Sequence, residues 1–371
     1  MLSVYQHWDP LKTCIVGRSY APEFYSYISN SRVRAVLERI AAETEEDYQL
    51  LIAKLQGFGV KVLRPSVYQH HDEALNSQGK IRQPPMTPRD WSIMIGNRLH
   101  IDPRQGIDHI ISEVRSQGNA ITQDTIANGS YITRIGRDLY VGTAHVDSLV
   151  QSYKSQWSMA RAQHWPAAAP DSWNELTPEQ QLGIAHLRAD QIKTLYPDHR
   201  IHSVDTQGHS DGTFCPVVPG LIVTLKDIQN YAHTFPGWEV IELPDQSWEK
   251  IKEFMDLKRK NKGKWWVPGE ELNHEFTDYV ENWLDHWVGY VEETVFDVNM
   301  LVIDRKNVLC TGYNQRVFDA FDRHGITAHI VNFRHRYFWD GGLHCITSDL
   351  DRQGELQDYF PERDSLILDR C

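Results

Sequence analysis

The chain has 371 residues, 41% of them hydrophobic, and a formal net charge of -12, values of a globular protein with one large α/β domain or two smaller ones. The acidic balance argues against a nucleic-acid partner, because nucleic-acid binding requires a basic surface. Five cysteines, none in a Cys-x-x-Cys pair, argue against a disulfide framework and a zinc site. No basic-then-apolar leader and no membrane-length apolar run occur, so we predict a cytoplasmic protein without a membrane partner.

Short apolar runs bounded by turn formers predict strands along most of the chain. Segments with apolar residues at three- and four-residue steps predict helices between them. The predicted strands lie at residues 13–17, 60–63, 91–97, 200–204, 217–223, 238–243, 296–303, 308–312 and 326–333, with two more inside 128–142 joined by a turn at Gly136. The predicted helices lie at residues 32–55, 187–195 and 317–324, and residues 66–85 are predicted to form a surface loop.

The order of two strands, a helix and a strand returns several times without sequence identity. This pattern favours one pseudo-repeated α/β domain spanning residues 1–371 over a helical bundle or a β-sandwich. Residues 151–184 read as an irregular insertion or a helical excursion. Residues 244–290 hold five tryptophans among many charges, and we interpret them as a packed lid or loop, because a base-stacking platform would be basic.

The stretch around Cys345 is the place where we expect the chemistry. Gly341 and Gly342 precede it and allow either positive φ or a close approach to a ligand, so a thiol after them can be displayed in a cleft. A buried structural cysteine is the alternative, since a lone cysteine is a nucleophile candidate only with a histidine and a carboxylate to serve it. His209 and Asp211 could supply these, and they would point the same way if their segment were extended.

Taken together, the motifs resemble the amidinotransferases typified by arginine:glycine amidinotransferase, in the guanidino-group-modifying superfamily. Single pieces are weak, but their joint order and spacing are specific. The matching segments are Trp8-Asp9-Pro10-Leu11-Lys12, Pro88-Arg89-Asp90, Arg134-Ile135-Gly136-Arg137-Asp138, His209-Ser210-Asp211-Gly212-Thr213-Phe214, Pro219-Gly220, Asn299, and Gly341-Gly342-Leu343-His344-Cys345-Ile346-Thr347 with Asp349 and Gly354.

The resemblance implies a five-bladed α/β propeller of ββαβ units with pseudo-fivefold symmetry and a central active site. It implies that Cys345 attacks the guanidinium carbon of an arginine-like donor and forms a covalent amidino-cysteine. His209 would protonate the leaving amine and later deprotonate the amine acceptor, beside Asp211. Asp90 would hold the guanidinium, and Asn299 would bind substrate. The implied ping-pong reaction needs no metal and no organic cofactor, and many family members are homodimers.

The sequence departs from the family pattern in three substrate-facing places. Tyr131 stands where family members carry an aspartate, and Ile228 stands where an arginine would bind the donor carboxylate. Glu292 and Glu293 replace a serine pair, and they either replace the lost acid as cation holders or form a solvated charged turn. These changes suggest a donor or acceptor other than arginine and glycine.

Three functions therefore remain open. The first is transfer of an amidino group to an amine. The second is hydrolysis of a guanidine by an arginine deiminase or dihydrolase type of reaction, in which water replaces the amine. The third is a catalytically silent binding protein that keeps the fold. The His-x-Asp-Gly-Thr-Phe and Gly-Gly-Leu-His-Cys-x-Thr contexts favour transfer, and retention of Cys345, His209 and Asp211 argues against the silent protein.

Overall fold

A computed structural model describes the chain except residues 78, 105, 124–125, 144–175, 207–208, 226–230, 244–264, 286, 289–297, 340, 364–368 and 371. The strands of the described part are β1 (Leu11–Val16), β2 (Lys61–Leu63), β3 (Ser92–Ile95), β4 (Arg98–Ile101), β5 (Ala120–Thr122), β6 (Ile132–Ile135), β7 (Asp138–Gly142), β8 (Arg200–Val204), β9 (Phe214–Val218), β10 (Leu221–Thr224), β11 (Glu239–Glu242), β12 (Leu301–Asp304), β13 (Asn307–Cys310), β14 (Thr327–Ile330), β15 (Thr347–Arg352) and β16 (Asp369–Arg370).

The helices of the same part vary from one turn to 27 residues. They are α1 (Ser31–Gly57), α2 (Pro88–Trp91), α3 (Asp108–Ser116), α4 (Pro178–Leu195), α5 (Tyr231–Thr234), α6 (His274–Trp283), α7 (Gln315–His324) and α8 (Arg336–Trp339), with 3-10 turns at Pro22–Tyr27 and Ser210–Gly212. None of the helices in the described ranges is long and apolar enough to cross a lipid bilayer.

Five sheets repeat one pattern, in which a strand pairs antiparallel with the next and a helix leads to a third, parallel strand. The trios β3-β4-β5, β6-β7-β8, β9-β10-β11 and β12-β13-β14 follow it in chain order. In the fifth sheet β15, from the far end of the chain, pairs antiparallel with β1, which pairs parallel with β2. This pairing places the segment after Cys345 beside the first strand. Together the five sheets of the described residues confirm the predicted repeat of two strands, a helix and a strand.

Local sequence explains where the principal helices begin and end. The Asn30 side chain accepts hydrogen bonds from the first backbone N–H groups of α1, and Asn314 does the same for α7. Gly325 ends α7 in the left-handed conformation, with φ of +67°. The buried face of α1 contains the apolar residues whose spacing predicts the helix, and they pack in one core with β1.

α4 begins at Pro178, because Thr177 and Gln180 form a capping box, so the end of the 151–184 stretch is helical, as one of the two alternatives predicted. The rest of that stretch, up to residue 175, lies outside the described residues. One prediction requires correction, because the strand predicted at 217–223 is two strands, β9 and β10, which Gly220 separates by a turn with φ of +93°. Asp211 lies in a 3-10 turn that begins directly after His209, so the condition of an extended segment is not met.

The aromatic residues of the 244–290 stretch are described only from Trp265 onward. Trp265 and Trp287 are buried in the same core as α1, which agrees with their predicted packing role. Trp283 on α6 is the exception, with 60% of its side chain exposed.

Candidate active site

Cys345 lies in a tight turn that leads directly into β15, and its side chain is buried. The Asn299 side chain holds this turn in place, since its Oδ1 accepts from the backbone N–H groups of both His344 and Cys345, each at 3.0 Å. The Nδ2 of the same side chain lies 2.9 Å from the Cys345 sulfur and donates to it. One buried amide therefore fixes the backbone around the thiol and can stabilise the sulfur when it carries negative charge.

The two glycines before Cys345 are required for space. Several glycines of the described residues have a positive φ, but Gly341 and Gly342 are not among them. A side chain at Gly342 would place its Cβ 2.7 Å from Asn299, and one at Gly341 would lie 3.1 Å from the Cys345 Cβ. The close approach of Gly342 to Asn299 and of Gly341 to Thr87 and Cys345 thus explains the Gly-Gly pair, and the backbone conformation does not.

Asp211 is the second side chain that contacts the sulfur. Its Oδ2 lies 3.4 Å from the Cys345 sulfur and 2.7 Å from Nδ1 of His344. Its Oδ1 is buried and has no hydrogen-bond partner in the described part of the chain. Burial raises the pKa of Asp211 to about 7, and the nearby Asp90 adds to the rise against the lowering effects of His209 and Arg89. A buried carboxylate oxygen without a donor can accept a hydrogen bond from a bound cation.

His344 is neutral and orients Asp211. Burial, followed by the charge of Arg89, holds the pKa of His344 well below its ordinary value of 6.5. A neutral imidazole has one N–H, so at the 2.7 Å contact His344 Nδ1 donates to Asp211 when that carboxylate is ionised. The chain neighbour of the thiol therefore fixes which carboxylate oxygen faces the sulfur.

His209 and Asp90 form the partly exposed side of the same cluster. The His209 Nδ1 lies 3.9 Å from an Asp90 carboxylate oxygen, and their side chains are 22% and 31% exposed. Both side chains also act electrostatically on Asp211. The cluster thus combines a buried thiol, two carboxylates and an imidazole that solvent or a ligand can reach.

Tyr131 and Arg188 continue the cluster beyond His209. The Tyr131 ring meets the His209 ring edge to face, with 4.8 Å between ring centroids. The Arg188 guanidinium, from α4, lies 3.6 Å from the centroid of the Tyr131 ring. This contact is a cation–π interaction.

Arg89 holds the Cys345 turn in place through hydrogen bonds to its backbone carbonyls. Its Nε donates to the backbone carbonyls of His344 and Thr347, and its backbone N–H donates to the carbonyl of Cys345. Its guanidinium pairs with Asp349, which also binds Arg134 and Arg352 at 2.7–2.8 Å. All four side chains are almost fully buried. The guanidinium of Arg89 therefore pairs with Asp349 inside the core and not with its chain neighbour Asp90.

The structure brings most of the predicted site residues into contact in one cluster. Asp211 and Asn299 touch the sulfur of Cys345, while His209, Asp90 and Tyr131 adjoin Asp211 or one another. Glu292, Glu293 and Ile228 lie outside the described residues. No functional role was predicted for His344, Arg89 or Arg188. The position of His344 beside the thiol could have indicated the first, whereas the other two depend on partners distant in the chain.

Comparisons with known proteins find relatives along nearly the whole chain. No family model matches the chain. Glycine amidinotransferase of Xenopus tropicalis, a mitochondrial protein, is 23% identical over 96% of this chain and 84% of its own length. A putative inosamine-phosphate amidinotransferase of Streptomyces griseus is 21% identical over 97% of this chain and 99% of its own.

Solved structures show the same fold. An amidinotransferase of the saxitoxin biosynthetic pathway from Microseira wollei has a TM-score of 0.60 at 16% identity. An inosamine-phosphate amidinotransferase from Streptomyces griseus has a TM-score of 0.60 at 18% identity. Each alignment covers 97% of this chain and 99% of the other. The chain is therefore similar to amidinotransferases along nearly its whole length and shares their fold.

Proposed function

We propose that this protein transfers an amidino group from an arginine-like guanidine donor to an amine acceptor through a covalent intermediate on Cys345. The proposal rests on the contact between a thiol and a carboxylate whose second oxygen can still accept a hydrogen bond. The Asp211 carboxylate touches the Cys345 sulfur with one oxygen and keeps the other buried without a hydrogen bond among the described residues. A guanidinium bound to that oxygen would bring its carbon next to the sulfur.

The acids suit a planar cation. Asp211 and Asp90 lie close enough for the charge of one to raise the pKa of the other, and a guanidinium between them would relieve that repulsion. Carboxylates bind guanidinium groups through charge-assisted hydrogen bonds. In this proposal Glu292 and Glu293 are further cation holders.

The chemistry proceeds in two displacements. The Cys345 thiolate attacks the guanidinium carbon, a C–S bond forms, and the C–N bond to the leaving amine breaks as His209 gives that amine a proton. An acceptor amine then gives a proton to His209 and attacks the amidino carbon, and cleavage of the C–S bond restores the thiolate. Covalent catalysis of this kind divides one difficult displacement into two easier ones.

Asn299, His344 and Arg89 act as positioning residues in this scheme. Asn299 donates to the sulfur and would stabilise the thiolate, and His344 orients Asp211. Arg89 fixes the carbonyls on both sides of Cys345. We also propose that the chain forms a single domain, in which the five sheets surround a pseudo-fivefold axis and the site lies at its centre.

An amine panel tests the function. Purified protein is incubated with L-arginine and a set of primary amines, and products are separated by mass spectrometry. Transfer gives ornithine together with a new guanidino compound that depends on the amine. Citrulline or ammonia formed without any amine indicates guanidine hydrolysis instead. Absence of every product with a panel of guanidines contradicts both reactions and leaves a binding role. Cys345→Ala is the matched control and should abolish product formation.

A further inference from the structure

Arg188 presents a buried cationic group that the amidino-transfer scheme does not use. Its guanidinium lies over the Tyr131 ring, yet its Nη1 is buried and has no hydrogen-bond partner in the described part of the chain. Burial lowers the pKa of Arg188 from its ordinary value, and the charge of Tyr131 and a side-chain hydrogen bond with it offset only part of that fall. Among the described residues no carboxylate acts on the Arg188 guanidinium, so its buried Nη1 still lacks an acceptor.

The position of Arg188 connects it to the candidate active site. Tyr131 separates the guanidinium from His209, whose ring meets the edge of Tyr131. The residue before Tyr131 is also bonded to the turn of Asp211, because the Ser130 carbonyl accepts from the Asp211 N–H and from the Ser210 hydroxyl. A ligand that extends from Asp211 past His209 would therefore approach Tyr131 and Arg188.

The charges of the two ends are opposite. Asp211 and Asp90 suit a cationic group near Cys345, whereas Arg188 suits an anionic group on the far side of Tyr131. A guanidinium binds carboxylate and phosphate oxygens through parallel N–H donors, and an oxyanion would supply the acceptor that the buried Nη1 lacks. If the proposed function holds, we propose that Arg188 binds an oxyanion, a carboxylate or a phosphate, carried by the donor or the acceptor substrate.

Pairs of ligands that differ only in the oxyanion test this role without turnover. Cys345→Ala protein is titrated by calorimetry with L-arginine and with 1-amino-4-guanidinobutane, which is arginine without its carboxylate. The acceptor pair is 4-aminobutyrate and butylamine. We expect tighter binding of the oxyanion-bearing member of at least one pair. The added variant Arg188→Met should weaken that member on the order of 10- to 100-fold, the range for a charge-assisted hydrogen bond, and leave the other unchanged.

Two further variants separate charge from packing and folding. Arg188→Lys keeps the charge and should retain part of the preference. Lys193→Met, which removes a cation five residues further along α4, should leave the preference intact. Inorganic phosphate and acetate, tested as competitors, distinguish the two oxyanions, since the anion that resembles the natural group should displace the ligand at lower concentration.

Three results would overturn the inference. They are a parent protein without preference for the oxyanion in either pair, an unchanged preference in Arg188→Met, and an equal loss for both members of a pair. Because binding is measured on a protein that cannot react, any of these leaves amidino transfer standing. Failure of the wild-type protein in the amine panel contradicts the transfer and leaves the binding result readable.

Discussion

Two buried aspartates near Cys345 have opposite environments. Asp349 accepts hydrogen bonds from three buried arginines, and although burial alone would raise its pKa, those charges hold it well below the ordinary value. Asp211 faces a neutral imidazole and a thiol, and burial raises its pKa to about 7. The first carboxylate is paired with three cations inside the protein, whereas the charges of His209 and Arg89 near the second do not offset its burial.

The difference separates a structural role from a functional one. A buried charge must be neutralised or paired, and the arginines around Asp349 do this within the fold. Asp211 forms no ion pair with an arginine or lysine of the described residues, and in the proposed function the substrate guanidinium supplies the pairing cation. Arg89 connects the two aspartate environments. It pairs with Asp349 and also donates to the carbonyls around Cys345, next to Asp211.

The largest effect is expected from Asp211→Asn on turnover. The amide keeps the shape of the side chain but cannot provide a negative charge for the guanidinium. We expect kcat/KM to fall on the order of 10³-fold or more, as for other removed charged partners of a catalytic group. The measurement is the amine-panel assay with L-arginine. Asp205→Asn, an exposed aspartate of the same region, is the control, and an active Asp211→Asn enzyme would contradict the assignment.

Asp349→Asn should instead act on folding. Removing its charge leaves three buried guanidinium groups without a counter-ion, which typically lowers the free energy of unfolding by about 3–5 kcal/mol. Urea unfolding measures this loss. Asp351→Asn, two residues further on the same strand and bonded through its side chain to the backbone N–H of Ser3, should lose only about 1 kcal/mol. Equal losses in the two variants would remove the distinction.

Asp211→Asn is expected to stabilise the fold at high pH. A rise of the pKa from 3.8 to about 7 means that the folded protein binds this proton more tightly than the unfolded chain. The ionised Asp211 therefore lowers the free energy of unfolding. This loss is complete above pH 7 and disappears as the pH falls toward 3.8. The variant should therefore gain on the order of 1–4 kcal/mol at pH 8 and almost nothing at pH 4. Urea unfolding at both values tests it, and a variant less stable than wild type at pH 8 would contradict it.

The pH dependence of the reaction gives the smallest expected effect. Only ionised Asp211 can bind the cation, so kcat/KM should decrease about tenfold per pH unit below pH 7. The corresponding decrease in kcat should occur at lower pH, because a bound guanidinium favours the carboxylate form of Asp211. Initial rates between pH 5 and 9 measure both. A limb in kcat/KM near pH 4 would show that Asp211 is an ordinary, compensated carboxylate.

The repeated fold could be predicted where local sequence and final structure agree. The hairpin of β12 and β13 follows from two apolar runs around a polar turn, and α7 follows from its spacing and its Asn314 cap. The sequence analysis missed β4, α3 and β5. β4 has four residues, two of them polar, and one of these, His100, is buried against Tyr196. Such a strand is defined by its sheet neighbours more than by its own pattern.

The site was predictable to a similar extent. Residue type and motif order predicted Cys345, His209 and Asp211, and the Asp211 carboxylate contacts the Cys345 sulfur although 134 positions separate the two residues in the chain. The role of Arg89 could not be read from its neighbours, because its partner Asp349 is 260 residues away in the chain. The sequence also could not distinguish Asp211 from Asp349, since compensation depends on which arginines the fold brings near.

The covalent intermediate provides the most direct test of the account. The protein is mixed with L-arginine in the absence of an amine, quenched in acid, digested, and analysed by mass spectrometry of its cysteine peptides. We predict a mass increase of one amidino group on the Cys345 peptide, which disappears when an acceptor amine is added before quenching. Turnover without any adduct on Cys345, or an adduct on a different cysteine, would contradict the account.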